Sequence, residues 1–261
     1  MDLGIAGRWA IVCASSQGLG RACADALAQE GVNVVINGRD GDKLGQAAHE
    51  IRALDGIGRT VTPVAADITT TTGREALLAA CATPDILVTN NRGPTPAPLQ
   101  EMSDDLLDEA LTLHYRAPMA LLHAVLPGMI DRGWGRIVNI TSAMVTTPRG
   151  PMIWSAGARA ALTASMKAAQ FEAVAHGVTI NNLLPERFAT QRQVDNANRE
   201  VQRRGVTFEE AWEAQARSIA AGRHGRPEEF GATCAFVCSE LASFMSGMNI
   251  HLDGGSYPGL V

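Results

Sequence analysis

With 261 residues, a formal net charge of −5 and five cysteines, the chain can bury a substantial core as one large α/β domain or two small ones. Its Lys and Arg residues are scattered, which argues against a nucleic-acid partner, and no apolar run approaches the roughly 20 residues that span a bilayer. Met1-Asp2-Leu3-Gly4 lacks the basic and apolar regions of a signal peptide. Cys13, Cys23, Cys81, Cys234 and Cys238 form an odd set without metal spacing, so they read as reduced thiols in a cytoplasmic protein.

Trp9 to Cys13 is a short apolar run, expected as a buried parallel strand. It enters Ala14-Ser15-Ser16-Gln17-Gly18-Leu19-Gly20, then a helix from about Leu19 to Glu30 that stops at Gly31. A strand, a glycine turn and a helix N-terminus together form a phosphate-binding context, because glycines admit a pyrophosphate close to free backbone N–H groups. A second strand, Val32 to Ile36, completes the unit. At its end stands Asn37-Gly38-Arg39-Asp40. A ribose with a free 2′-hydroxyl wants an acidic partner there, whereas a 2′-phosphate wants a cation. Arg39 can fork onto a phosphate and Asp40 suits a helix cap, so NADP is expected over NAD.

A helix from about Lys43 to Leu54 and a strand from Thr60 to Val64 lead to Asp67, which either meets an adenine amino group or caps a helix. A helix near Gly73 to Cys81, a strand from Asp85 to Thr89, Asn90-Asn91-Arg92-Gly93 and an irregular loop over Pro94 to Pro98 follow. One long helix is expected from Asp104 to Asp131, carrying His114, Tyr115 and Arg116, then a strand from Arg136 to Thr141 ending in Ser142. The next helix runs from Ser155 to His176 and the sixth strand from Val178 to Leu184. Gln191 to Ala221 is polar, Arg-rich and helical in pattern, and is expected to cover a ligand cleft. Pro227 to Ser239 is a further helix, and Met248 to Leu252 a last strand before Asp253-Gly254-Gly255. Ser155 and Arg159, one helical turn apart, project from one face. With Ser142 they form an active-site layout.

These residues give the chain a resemblance to the short-chain dehydrogenase/reductase family, in particular to its 3-oxoacyl-carrier-protein-reductase-like members, over nearly the whole length. The resemblance rests on the turn ending Gly18-Leu19-Gly20, Asp67, Asn90 to Gly93, the strand ending in Ser142, Pro185 with Thr190, Gly225-Arg226-Pro227-Glu228, and Asp253-Gly254-Gly255. It implies a single domain over 1–261: a Rossmann-like doubly wound sheet of seven parallel strands flanked by helices, with a helical lid at about 191–221. It implies a dinucleotide along Ala14, Ser16, Gly18, Leu19, Gly20, Arg39, Asp67, Asn90, Arg159, Pro185 and Thr190. It also implies a small-molecule substrate, no metal, and a homodimer or homotetramer formed through the alanine-rich helix at Ser155 and the helix before it.

The resemblance places an asparagine, a serine, a tyrosine and a lysine at the catalytic positions. Here these fall on His114, Ser142, Ser155 and Arg159. A serine hydroxyl stops roughly 4 Å short of a tyrosine hydroxyl and is a far weaker acid, and Arg159 stays protonated. Three readings follow. The first is a reductase with His114 as substitute acid, unless His114 is an ordinary helix histidine. The second is a non-redox, lyase- or dehalogenase-like enzyme, which the glycine turn and Arg39 disfavour. The third is an inactive cofactor-binding or interaction protein. Glu186 stands where the family usually has glycine, and either crowds the nicotinamide, offers a carboxylate or pairs with Arg187. Arg92, where the family usually has alanine, adds a cation beside the cofactor or substrate, and Arg149, Met152 and Trp154 either line a substrate pocket or pack in loops.

Overall fold

The computed structural model describes residues 1–54, 59–94, 96–101 and 103–260. Seven strands, β1 (Trp9–Val12), β2 (Asn33–Gly38), β3 (Val61–Ala65), β4 (Ile86–Thr89), β5 (Gly135–Ile140), β6 (Val178–Pro185) and β7 (Asn249–Leu252), pair in the order β3-β2-β1-β4-β5-β6-β7. Every pairing is parallel. The central strands are apolar on both sides because helices cover both faces. Val12, Val34 and Ile36 pack beneath α1 (Gly18–Gln29), α2 (Gly41–Arg52) and α9 (Pro227–Val237). Ile11, Val35 and Leu87 pack beneath α3 (Thr71–Ala80), α5 (Ala117–Asp131) and α6 (Ile153–Ala173). Strand order reverses between β1 and β4, so the loops after these strands splay apart and open a crevice at the carboxyl edge of the sheet.

The strand expected over Val32 to Ile36 runs on to Gly38, which places Arg39 one residue past the sheet edge. The helix expected at Ser155 starts at Ile153, so Ser155 already has helical backbone. The long helix expected over Asp104 to Asp131 is broken into α4 (Asp104–Leu111), a π turn (Thr112–Arg116) and α5. Pro118 has no N–H for the carbonyl of His114, and the i→i+5 bond from Ala117 N–H to the Thr112 carbonyl takes over. The excursion at 191–221 folds as α7 (Gln191–Arg204) and α8 (Phe208–Arg217), which stand over the crevice. Within the loop expected over Pro94 to Pro98, Thr95 lies outside the described residues. The five cysteines are buried and unpaired. No helix among the described residues is long and apolar enough to cross a membrane.

Candidate active site

The crevice is a cleft of about 1320 Å³ running from the glycine turn, past the ends of β2 and β4, to Ser142, Ser155 and the faces of α7 and α8. At its first end Ser15 locks the turn to both strands: its Oγ donates to the Val12 carbonyl at 2.7 Å and accepts from Asn37 N–H at 2.9 Å. Gly18 has φ +64, a region open to glycine, while Ala14 holds a similar conformation at φ +47 despite its methyl group. A Cβ on Gly20 would lie 2.3 Å from the Ala14 carbonyl oxygen and 2.9 Å from Asn90 Nδ2. Gly20 therefore works beneath the turn, letting α1 press against it, and does not line the cleft. Asn90 donates to the Ala14 carbonyl at 3.4 Å and holds the turn from the β4 side. No side chain caps α1, whose N-cap Gln17 is extended, so its first N–H groups are available to an oxyanion at the turn.

At the end of β2, Arg39 is exposed in the cleft and has no hydrogen-bond or ion-pair partner among the described residues. Ser16 Oγ lies 3.2 Å from where a Cβ on Gly38 would sit, and Ser16 and Arg39 both line the cleft. Asp40 is used as a cap: one carboxylate oxygen accepts from the backbone of Asp42 and Lys43 at 3.2 and 3.1 Å. Asp67 caps no helix, because Thr70 caps α3. Its carboxylate accepts from Thr69 N–H and Oγ–H at 2.9 and 2.7 Å. Partial burial pushes its carboxyl up, but the Thr69 hydrogen bonds and the Arg39 and Arg92 charges outweigh it and hold the group below the usual value. The glycine cradle, the uncapped helix and the cation at β2 fit a phosphorylated dinucleotide.

At the other end, Ser142 follows β5 and accepts from Met144 N–H at 3.2 Å, which leaves its own O–H free to donate. Ser155 is buried in the first turn of α6. Arg159 reaches back to the end of β5 and donates to the Thr141 and Ile140 carbonyls. Its Nε is buried with no partner. Burial, reinforced by the Arg192 charge, lowers its pKa to about 10, so it remains a cation at neutral pH. His114 sits behind it in the π turn, 4% exposed, with Nε2 3.4 Å from the guanidinium. Burial first, then Arg159, Arg192 and Arg92, push its pKa down to about 2. The ring is neutral and walled off beneath Arg159, so the substitute-acid role expected for it meets a group with no imidazolium proton to give. Asn91 ties β4 to this turn by donating to the Leu113 carbonyl at 3.4 Å.

Pro185, Arg92, Arg149, Met152, Glu186, Arg187 and Thr190 all line the cleft. Glu186 pairs chiefly with Arg149, in a two-pronged contact at 3.0 and 3.1 Å, while Arg187 stands 3.8 Å away. This bridge joins the loop after β5 to the loop after β6. Arg92 is engaged with Glu109 at 2.6 Å. Trp154 is not among the cleft-lining residues; its indole nitrogen is buried without an acceptor. Thr190 opens α7 without a side-chain cap. Arg192 and Arg199, which the motifs did not single out, also line the cleft. Their signal in the sequence is a spacing of seven on one polar helix face.

A family model described as Enoyl-(Acyl carrier protein) reductase matches residues 13–257. The chain is 30% identical over 255 residues to gluconate 5-dehydrogenase of Gluconobacter oxydans, covering 96% of this chain and 95% of that protein. It is also 30% identical over 261 residues to the 3-oxoacyl-(acyl-carrier-protein) reductase of Aquifex aeolicus, covering 98% and 100%. Among solved structures it resembles L-sorbose reductase from Gluconobacter frateurii, complexed with NADPH and L-sorbose, with a TM-score of 0.93, 28% identity and 100% of both chains covered.

Proposed function

This chain belongs to the short-chain dehydrogenase/reductase family, and on that premise we propose that it is an NADP-dependent oxidoreductase of small carbonyls or alcohols with an altered proton-donating pair. The observation that carries the cofactor choice is the unpartnered Arg39 in the cleft at the end of β2, with Asp40 already committed to its helix. The NADPH complex of the sorbose reductase supports the same choice. Ala14, Ser16, Gly18 and Leu19 would face the phosphates, Arg39 the 2′-phosphate and Asp67 the adenine. Pro185 and Thr190 would stand at the nicotinamide end.

When bound, the dinucleotide supplies or takes up the hydride. The rest of the work falls to side chains. Ser142, with a free hydroxyl hydrogen, donates to the substrate carbonyl oxygen and orients it. Ser155 and Arg159 take the positions of the family's tyrosine and lysine. Arg159, anchored on the carbonyl of Thr141 next to Ser142, places a fixed positive charge where an alkoxide develops, which stabilises it without proton transfer. The proton then comes from water in the open cleft through the Ser155 hydroxyl. His114 acts by position, as a neutral ring backing the guanidinium. The non-redox alternative finds less support, since the glycine turn keeps the shape and open N–H groups that a dinucleotide needs.

We read the assembly as a homo-oligomer. Phe171 on α6 is 68% exposed and Phe244 fully exposed, and Lys167 on α6 bonds the Gly247 carbonyl at 3.0 Å, so these apolar groups lie on neighbouring segments. An exposed apolar surface of this kind marks a protein contact.

The test is a fluorescence titration with NADPH and, separately, NADH, followed by a screen of small carbonyls for NADPH oxidation. Tight NADPH with weak NADH, and turnover reduced in Ser142→Ala, is the expected result. Binding of neither dinucleotide would remove the oxidoreductase reading.

A further inference from the structure

The charges around the cleft do not balance. On the side beyond Ser142 two carboxylates are already held by arginines. Glu186 is shared by Arg149 and Arg187, and Glu200 by Arg203 and Arg204 at 2.8 and 3.7 Å. Asp195 accepts from the Gln191 amide at 3.0 Å. Asp195 keeps a charge that the neutral amide does not offset and bears on Arg192 from a distance, yet two cations, Arg192 and Arg199, make no ion pair among the described residues. Arg199 donates to the neutral amide of Asn196. Arg192 has no hydrogen-bond or ion-pair partner among the described residues, and its guanidinium lies across Gly93, 3.2 Å from where a Cβ would stand. The two arginines are seven residues apart on α7, so they share one face, and both line the cleft.

Like charges on one helix face repel: burial and then the Arg199 charge lower the pKa of Arg192, with Asp195 acting in the opposite direction. Arg192 in turn bears on Arg159 and His114, so it adds positive charge to a centre already holding an uncompensated cation. All of this sits in a chain whose net charge is −5. An oxyanion in the cleft relieves the repulsion and satisfies the guanidinium forks together.

We propose that Arg192 and Arg199 form an oxyanion-recognition site on α7, which selects a carbonyl substrate carrying a carboxylate or a phosphate group. The inference rests on the reductase reading of the cleft and gives it a substrate class. The Arg149–Glu186 bridge leaves Arg149 already paired, so the anionic end of the substrate lies towards α7 and its carbonyl towards Ser142. The same oxyanion chemistry is available from the phosphates of the dinucleotide, and the test separates the two sources.

Calorimetric titrations compare 5-keto-D-gluconate with L-sorbose, which differ only in a carboxylate replacing a hydroxymethyl group, and add inorganic phosphate as a bare oxyanion. Each is run with and without NADPH on wild type, Arg192→Gln, Arg192→Lys and Arg199→Gln. The expected result is at least tenfold tighter binding of the keto acid than of the neutral sugar, or, for a phosphate-selective site, saturable phosphate binding. Either should be lost in both glutamine variants and retained within about threefold in Arg192→Lys, with NADPH affinity unchanged. No preference for the keto acid together with no phosphate binding in wild type would overturn the proposal. So would an Arg192→Gln variant that weakens NADPH itself, because the anion would then be the cofactor's. If wild type binds no NADPH but keeps an anion preference that depends on Arg192, the reductase reading fails and the oxyanion site stands.

Discussion

His114→Asn tests whether the histidine at the centre of the site is a proton donor or a buried neutral spacer. The folded ring has its pKa pushed down to about 2 by burial and by the cations of Arg159, Arg192 and Arg92, against an unfolded value of about 6.5. Folding therefore favours the neutral form. The stabilisation is fully present above about pH 6.5 and is lost as pH falls from there towards about 2, at about 1.4 kcal/mol per pH unit. Between about pH 7 and about pH 5 this one group removes about 2 kcal/mol of stability. His224, stacked on Trp212 at 4.1 Å, is shifted in the same direction by burial and then by Arg187, so it steepens the profile of both proteins equally. Urea unfolding of wild type and variant across this range isolates His114 as a difference in slope. The variant should lose about 2 kcal/mol less than wild type between about pH 7 and about pH 5. Parallel profiles would refute the reasoning and return His114 to candidacy as the acid.

Arg39→Gln should weaken NADPH binding by about 10- to 100-fold, the worth of charge-assisted hydrogen bonds of about 1.5–3 kcal/mol, and leave NADH nearly unchanged in the same titration. Ala14→Gly should raise stability by about 0.5–1 kcal/mol: a left-handed non-glycine residue costs about 1–2 kcal/mol, and the freer unfolded glycine chain offsets part of the gain. Chemical denaturation measures this, and a destabilised Ala14→Gly protein would contradict the φ of +47. Gly20→Ala forces a methyl to within 2.3 Å of the Ala14 carbonyl oxygen. It should cost about 1–3 kcal/mol and weaken NADPH at least tenfold, both readable on one purified protein.

The sheet was legible because each strand carries a short apolar run bounded by turn residues, and the glycine turn marks where the first crossover begins. Asp40 was legible for a similar reason: its cap on the helix after β2 is a local job that a neighbour or two decides. The break in the helix over Asp104 to Asp131 was not read, although Pro118 is its cause, because an apolar pattern with one proline near a turn boundary also fits an unbroken helix. The state of His114 could not be read at all. It depends on burial and on cations from the loop after β4, from α6 and from α7 that only the folded chain brings together. One reading of Glu186, an ion pair with the adjacent Arg187, is met at 3.8 Å, while its closer partner, Arg149, lies 37 residues away and was not read. Arg192 went unremarked for the converse reason, since a charge on a polar helix is ordinary until the fold leaves it without an acceptor.

The central claim is that hydride moves between a nicotinamide and a carbonyl in a site whose fixed charge, Arg159, takes the place of a proton-donating pair. The most direct measurement uses NADPH deuterated at its transferable hydrogen, with a reducible carbonyl found in the screen, and follows deuterium into the alcohol by mass spectrometry for wild type, Arg159→Gln and His114→Asn. Deuterium should appear in the wild-type product, fall by at least tenfold in rate with Arg159→Gln, and persist with His114→Asn. A product free of deuterium, or one lost with His114→Asn while Arg159→Gln stays active, would contradict the account.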